Sequence, residues 1–188
     1  KKDNCIHFLS GNCETCRDAC PAGAIDYEQQ DEIVEIDTGA VILTPGFCQY
    51  DASHKPEMGF TNFPNVVSSL QFERILSASG PFMGKLVRPS DKKKPARIAF
   101  IQCVGSRDKD HDYCSSVCCM YALKEAIIAK EHEADVSCEI FFIDIRAHGK
   151  DFDAYYERAK ELGIGFTRCK PSSVEEVKKT HDLVIGYV

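Results

Sequence analysis

The sequence predicts an α/β fold in which a Rossmann-like parallel sheet follows a small cysteine-rich segment. Two observations favour this fold. The second half of the chain alternates short apolar stretches with amphipathic helical patterns, and the first twenty residues carry four cysteines and few apolar side chains. The 188-residue chain is 44% apolar, which is enough to fill an ordinary core. We expect three parts, residues 1–30, 31–94 and 95–188.

The first part has the cysteine spacing of a ferredoxin. Cys13, Cys16 and Cys20, followed by Pro21, repeat the end of the bacterial ferredoxin run, and Cys5 precedes them. Because four thiolates usually hold a [4Fe-4S] cubane, we predict that all four cysteines are cluster ligands. In two-cluster ferredoxins the last cysteine of a run binds the other cluster, so whether Cys20 shares a cluster with the other three stays open. One helical turn that Pro21 ends, and a strand after it, are expected here.

The second part predicts two strands and one helix. The alternating stretch at 33–36 and the apolar stretch at 40–43 are typical of strands. A helix is expected to start after Ser68 or Ser69, because serine caps helix N-termini well, and to stop at Gly80. A polar connection follows, and we expect a domain boundary near its end.

The third part alternates strands with helices, as parallel sheets do. Strands are predicted at 97–102, 139–145, 164–168 and 182–188, and helices at 114–132 and 152–162. Ligands of such folds bind outside the carboxyl ends of the strands. The residues that follow the first strand are therefore the place to look for a site.

Four cysteines occupy this place: Cys103, Cys114, Cys118 and Cys119. The turn lacks the G-x-G-x-x-G pattern, which excludes a dinucleotide loop. On the predicted helix Cys114 and Cys118 are four residues apart and share a face, close to a helix N-terminus that favours anions. We predict a [4Fe-4S] cluster held by the four thiolates. The alternative is that Cys118 and Cys119 pack as small hydrophobes.

Other classes of protein fit the composition less well. Disulfide-stapled secreted domains usually have an even number of cysteines in under about 80 residues, whereas this chain has eleven in 188. Thiols that stay free for metal indicate the cytoplasm. The net charge of −6 argues against nucleic acid, and no apolar run approaches a membrane span. A thiolate-zinc or non-redox structural module stays open, although only Cys13 and Cys16 have the spacing of a zinc knuckle.

Several runs of the chain resemble the A subunit of heterodisulfide reductase. The most specific are Cys-Val-Gly-Ser-Arg-Asp at 103–108 and Val-Cys-Cys-Met-Tyr-Ala at 117–122. Pro-Asn-Val-Val-Ser-Ser at 64–69 and Ile-Asp-Ile-Arg-Ala-His-Gly-Lys at 143–150 add to them, as does the ferredoxin-like start. The resemblance covers nearly the whole chain, in order.

The resemblance implies an iron–sulfur flavoprotein, an oxidoreductase with a thioredoxin-reductase-like core. In that family FAD divides electron pairs between ferredoxin and a partner disulfide reductase. The cysteines at 103–119 match its unusual cluster ligands, and Thr44-Pro45-Gly46 matches a turn beside FAD, although Pro45 departs from the pattern. The partners implied are ferredoxin, the other heterodisulfide reductase subunits and an electron-donating subunit. We expect the chain to be an internal piece that is inactive alone and needs an upstream domain to bind FAD.

Overall fold

The computed structural model describes residues 2–188, so Lys1, the first residue of the predicted ferredoxin-like part, lies outside the described residues. The chain divides into two compact units, one ending at Phe47 and one from Cys48 to Val188. The helices are α1 (Ile6–Ser10), α2 (Thr15–Asp18), α3 (Ser69–Leu76), α4 (Cys118–His132) and α5 (Phe152–Glu161). The strands are β1 (Arg97–Ile101), β2 (Ser137–Phe142), β3 (Gly165–Arg168), β4 (Ser173–Val177) and β5 (Asp182–Gly186).

The first unit contains α1 and α2 and, in its described residues, no strand. The helical turn expected before Pro21 is present as α2, but the strands predicted at 21–26, 33–36 and 40–43 are wrong. A strand needs a hydrogen-bonded neighbour, and the unit offers none. The apolar side chains of these stretches stay in contact with solvent, with Ile33 96% and Ile42 87% exposed.

The second unit is built on a three-stranded parallel sheet in the order β1-β2-β3. Phe100 lies opposite Ile140, which lies opposite Phe166 on the next strand. α4 connects β1 to β2 and α5 connects β2 to β3, as parallel neighbours require. The α/β fold, these three strands and α5 are therefore confirmed to within a few residues.

The last predicted strand does not join this sheet. β5 pairs antiparallel with β4, Val174 opposite Ile185, in a separate two-stranded sheet. The two strands are joined by a four-residue turn, 178–181, which is too short for a parallel crossover. The sequence analysis missed β4 because its alternation is weak, and it therefore grouped β5 with the parallel strands.

The core of the second unit surrounds α4. Leu123, Ala126 and Ala129 on this helix are completely buried, and Ile140 on β2 is buried beside them. The helix is apolar on most sides because it packs against α3, α5 and β2 at once. In residues 2–188 no helix is both long and apolar enough to cross a bilayer.

α3 begins at the predicted serine. The Ser68 hydroxyl accepts from the amide of Gln71, and the Gln71 side chain accepts from the amide of Ser68, which is a complete capping box. The next residue, Ser69, donates its hydroxyl to Glu125 of α4 at 2.5 Å. Burial raises the pKa of Glu125 to about 7, and the hydrogen bond from Ser69 opposes the rise only in part.

This buried carboxyl predicts a pH-dependent stability. The folded-state pKa lies above the unfolded one, so the stabilisation is complete below the unfolded pKa and is lost as the pH rises towards about 7. Glu125→Gln should remove about 3 kcal/mol of pH dependence, measured by urea unfolding at about pH 5 and about pH 8. Glu161→Gln, which changes an exposed carboxyl on α5, serves as the control. Equal pH dependence in the wild type and Glu125→Gln would contradict the prediction.

Candidate metal centre

Cys103 follows β1 directly and is 6% exposed. Its φ is 60°, and Gly105 and Arg107 also have positive φ, at 74° and 56°. Non-glycine residues rarely take this left-handed conformation, so the surrounding structure must hold the loop in place. The predicted position of Cys103, at the carboxyl end of the first parallel strand, is confirmed.

The loop is held by side chains from outside it. The ring of Tyr50 lies directly on Gly105, where a Cβ would come within 2.4 Å of it, so only glycine fits at this position. Lys55 forms a 3.0 Å ion pair with Asp108. Lys170, just after β3, donates to the carbonyl of Arg107 at 3.3 Å. Elements on both sides thus fix the turn that carries Cys103.

α4 begins at Cys118, four residues later than predicted. Ser116 has a φ of 62°, which no helical residue adopts, and its amide donates to the Cys114 sulfur at 3.3 Å. The prediction that Cys114 and Cys118 share a helix face is therefore wrong. Cys114 is held in a local loop, while Cys118 and Cys119 occupy the first turn of α4.

The sulfur atoms of Cys103, Cys118 and Cys119 form one hydrogen-bonded series. Hydrogen bonds from Cys103 and then from Cys119 lower the pKa of Cys118. The hydrogen bond to Cys118, followed by burial, raises the pKa of both Cys103 and Cys119. Ser115 adds a hydroxyl 3.5 Å from the Cys118 sulfur. All four cysteines are free thiols, and Cys118 is the one that the surroundings favour as a thiolate.

The loop after β2 brings charged groups to the same place. Asp144 forms ion pairs with Arg107 and, at 3.3 Å, with Arg146. The carbonyl of Asp144 lies 3.8 Å from the Cys119 sulfur, and the amide of Arg146 donates to that sulfur. Asp144 raises the pKa of Arg146, and the nearby Cys114 raises it further. Sequence reasoning missed Asp144 and Arg146, although their position after the second parallel strand was a usable signal.

The sulfurs of the first cysteine group accept hydrogen bonds from their surroundings. The amides of Ala24 and Ala22 lower the pKa of Cys20, with Ala24 3.4 Å from the sulfur. Thr15 lowers the pKa of Cys13 through its amide and its hydroxyl. Amide and hydroxyl donors aimed at sulfur are typical of sulfurs that bind metal, since they stabilise thiolate.

Cys16 has a tyrosine as its partner. Its sulfur lies 2.9 Å from the hydroxyl of Tyr27, and this hydrogen bond raises the pKa of Tyr27 to about 12. His7 stacks on the Tyr27 ring at 3.6 Å and bonds the carbonyl of Cys13 rather than a sulfur. No sequence pattern pointed to Tyr27.

The predicted site residues are thus brought together to different degrees. Sulfur contacts join Cys103 to Cys118 and Cys118 to Cys119, while Cys114 lies beside Arg146. Within residues 2–188, no three His, Cys, Asp or Glu side chains already stand in the arrangement of a metal site. Thr44-Pro45-Gly46 lies in an exposed stretch without regular structure. The donor sets nevertheless fit iron–sulfur clusters, because each offers four free thiols with hydrogen-bond donors on the sulfurs.

Comparison with known proteins places this chain among a defined set of relatives. No protein-family model matches it. It is 45% identical over 174 residues to the A subunit of the ferredoxin/F(420)H(2)-dependent CoB-CoM heterodisulfide reductase of Methanosarcina acetivorans, covering 92% of this chain and 21% of the relative. It is 47% identical over 167 residues to an iron-sulfur A subunit, numbered 2, of the CoB--CoM heterodisulfide reductase of Methanopyrus kandleri, covering 87% and 26%.

A third relative aligns with the whole chain. The A subunit of the H(2):CoB-CoM heterodisulfide,ferredoxin reductase of Methanothermobacter thermautotrophicus is 42% identical over 196 residues, covering 100% of this chain and 29% of the relative. The chain thus spans between 21% and 29% of the length of these three relatives. Over the stretch that aligns, it belongs to the family of heterodisulfide reductase A subunits.

Proposed function

We propose that this chain is the electron-transfer segment of a heterodisulfide-reductase-type iron–sulfur flavoprotein. Cys103, Cys114, Cys118 and Cys119 would hold one [4Fe-4S] cluster. Cys5, Cys13, Cys16 and Cys20 would hold the second site. The hydrogen-bonded sulfurs of Cys103, Cys118 and Cys119 at the carboxyl end of β1 carry the proposal, and the family membership supports it. A cluster bound there supplies single-electron carriage.

The residues of the site would do three things for such a cluster. The thiolates bind it, and the strained turn at Cys103, fixed by Tyr50 and Lys55, presents one sulfur towards the first turn of α4. That helix end carries partial positive charge, which stabilises thiolates and an anionic cluster. The burial of Cys103 and Cys119 keeps water away from their sulfurs.

The flavin belongs to the proposal through the family alone. We propose that the turn Thr44-Pro45-Gly46 lies beside FAD in the longer protein and that the sheet of the second unit is part of a Rossmann-like, thioredoxin-reductase-like core. The parallel order β1-β2-β3 with helical crossovers supports the second statement. Electrons would then pass between FAD and the clusters.

The partners proposed follow from the same relationship. The names of the relatives describe one component of heterodisulfide reductase, and two of the three also name ferredoxin. We propose that the longer protein works in the cytoplasm with ferredoxin, other heterodisulfide reductase subunits and an electron-donating subunit. Co-purification from the native source tests this assembly, and a solitary, fully active monomer would contradict it.

Metal analysis of the anaerobically purified longer protein tests the cluster proposal. The wild type should contain iron and acid-labile sulfide, whereas zinc without sulfide would instead support a structural thiolate module. Cys16→Ser should lose about four irons, because one cubane loses a ligand. Cys48→Ser, which changes an exposed cysteine outside both groups, is the matched control and should keep its iron. Unchanged iron in Cys16→Ser would refute the amino-terminal assignment.

A further inference from the structure

The charged groups beside the second cysteine group form a defined arrangement that cluster binding alone does not require. Asp144, in the loop after β2, is paired with Arg107 from the loop after β1 and with Arg146 two residues further on. The three side chains are only partly exposed, 42% for Asp144, 21% for Arg107 and 36% for Arg146. We call these three residues the arginine clamp.

The clamp approaches the cysteines at three points. Arg146 lies beside Cys114 through its side chain and donates its backbone amide to Cys119. The carbonyl of Asp144 is 3.8 Å from the Cys119 sulfur. Arg107 is four residues after Cys103 and close enough for its charge to act on that thiol. Two guanidinium groups therefore lie beside the cysteines, and one carboxylate holds both of them in place.

We infer that the arginine clamp sets the reduction potential of the cluster held by Cys103, Cys114, Cys118 and Cys119. This inference rests on the proposed function. Reduction by one electron makes a cluster more negative by one charge, so a cation beside the ligands stabilises the reduced form more than the oxidised form. Arg146 and Arg107 are positioning and tuning residues in this role, since neither is a ligand.

The magnitude follows from distance and screening. A unit charge a few ångströms from the ligands at a partly exposed site interacts by roughly one to a few kcal/mol. Solvent at the partly exposed guanidinium groups reduces this value, and added salt reduces it further. Loss of one guanidinium should therefore reduce the equilibrium constant for cluster reduction about tenfold, which is about 59 mV for a one-electron couple.

The experiment is a potentiometric titration of the longer protein, followed by electron paramagnetic resonance at the signal that Cys119→Ala removes. Arg146→Gln should lower the midpoint by about 59 mV, whereas Arg146→Lys, which keeps the charge, should restore most of the difference. Arg158→Gln is the matched control, because Arg158 pairs with Glu131 on the surfaces of α5 and α4. Its midpoint should equal that of the wild type.

The outcomes separate this inference from the proposed function. A cluster that is present in Arg146→Gln with an unchanged midpoint overturns the inference and leaves the cluster assignment intact. If Arg146→Gln does not retain the cluster, Arg107→Gln provides the same charge test, and an unchanged midpoint there overturns the inference too. If the Cys119→Ala protein loses no signal, the proposed cluster itself fails.

Discussion

The Cys119→Ala variant of the longer protein is expected to lose one complete cluster signal and keep the others. Cys119 is 4% exposed, lies in the first turn of α4, and is hydrogen-bonded to Cys118. A cubane needs four ligands, and alanine supplies none. The measurement is electron paramagnetic resonance on the dithionite-reduced protein, together with an iron count that should fall by about four.

Cys138→Ala is the matched control for this experiment. Cys138 is 1% exposed on β2, so the substitution also removes a buried thiol, but it lies outside both cysteine groups. Its cluster signals should all remain. An unchanged spectrum in Cys119→Ala would instead mean that Cys118 and Cys119 fill the core or act as a disulfide. Adjacent cysteines in a helix are poorly placed for a disulfide, because the geometry of the bond is restrictive.

The Leu123→Ala variant is expected to lose about 2–5 kcal/mol of unfolding free energy. Leu123 is completely buried on α4, the helix at the centre of the core, so truncation removes apolar contacts and leaves a cavity among rigid neighbours. Urea unfolding followed by circular dichroism measures the loss. Because Cys118 and Cys119 begin the same helix, cluster retention should also fall as this helix loosens.

Ile128→Ala on the same helix is the control. Its side chain is 38% exposed, so the same kind of truncation leaves a smaller cavity and should cost less than about 1 kcal/mol. Equal losses in the two variants would contradict the central place of α4 in the core.

Local patterns predicted the second unit well. The Ser68 cap fixed the start of α3 because its hydrogen bonds involve only neighbouring residues. β1, β2 and β3 are apolar enough to be recognised as buried strands, and the alternation with helices indicated their parallel arrangement. The place of Cys103 followed from this topology.

The features that were missed depend on long-range contacts or on single backbone angles. The left-handed conformation of Ser116, which delays α4, has no signal in a helical hydrophobic pattern. The ion pairs of Asp144 with Arg107 and Arg146 form between loops 37 residues apart in sequence or within one irregular loop. The Tyr27 hydroxyl at the Cys16 sulfur likewise depends on how the chain folds back over 11 residues.

The exposed stretch at 40–44 has a consequence for handling the protein. Ala-Val-Ile-Leu-Thr is apolar, rich in β-branched residues, uncharged and free of proline, and Val41, Ile42 and Leu43 are each at least 74% exposed. Such segments can stack between molecules as cross-β templates when nothing covers them. At the concentrations used for spectroscopy, this piece alone should self-associate through that segment, and a Val41→Lys gatekeeper substitution would keep it dispersed without touching either cysteine group.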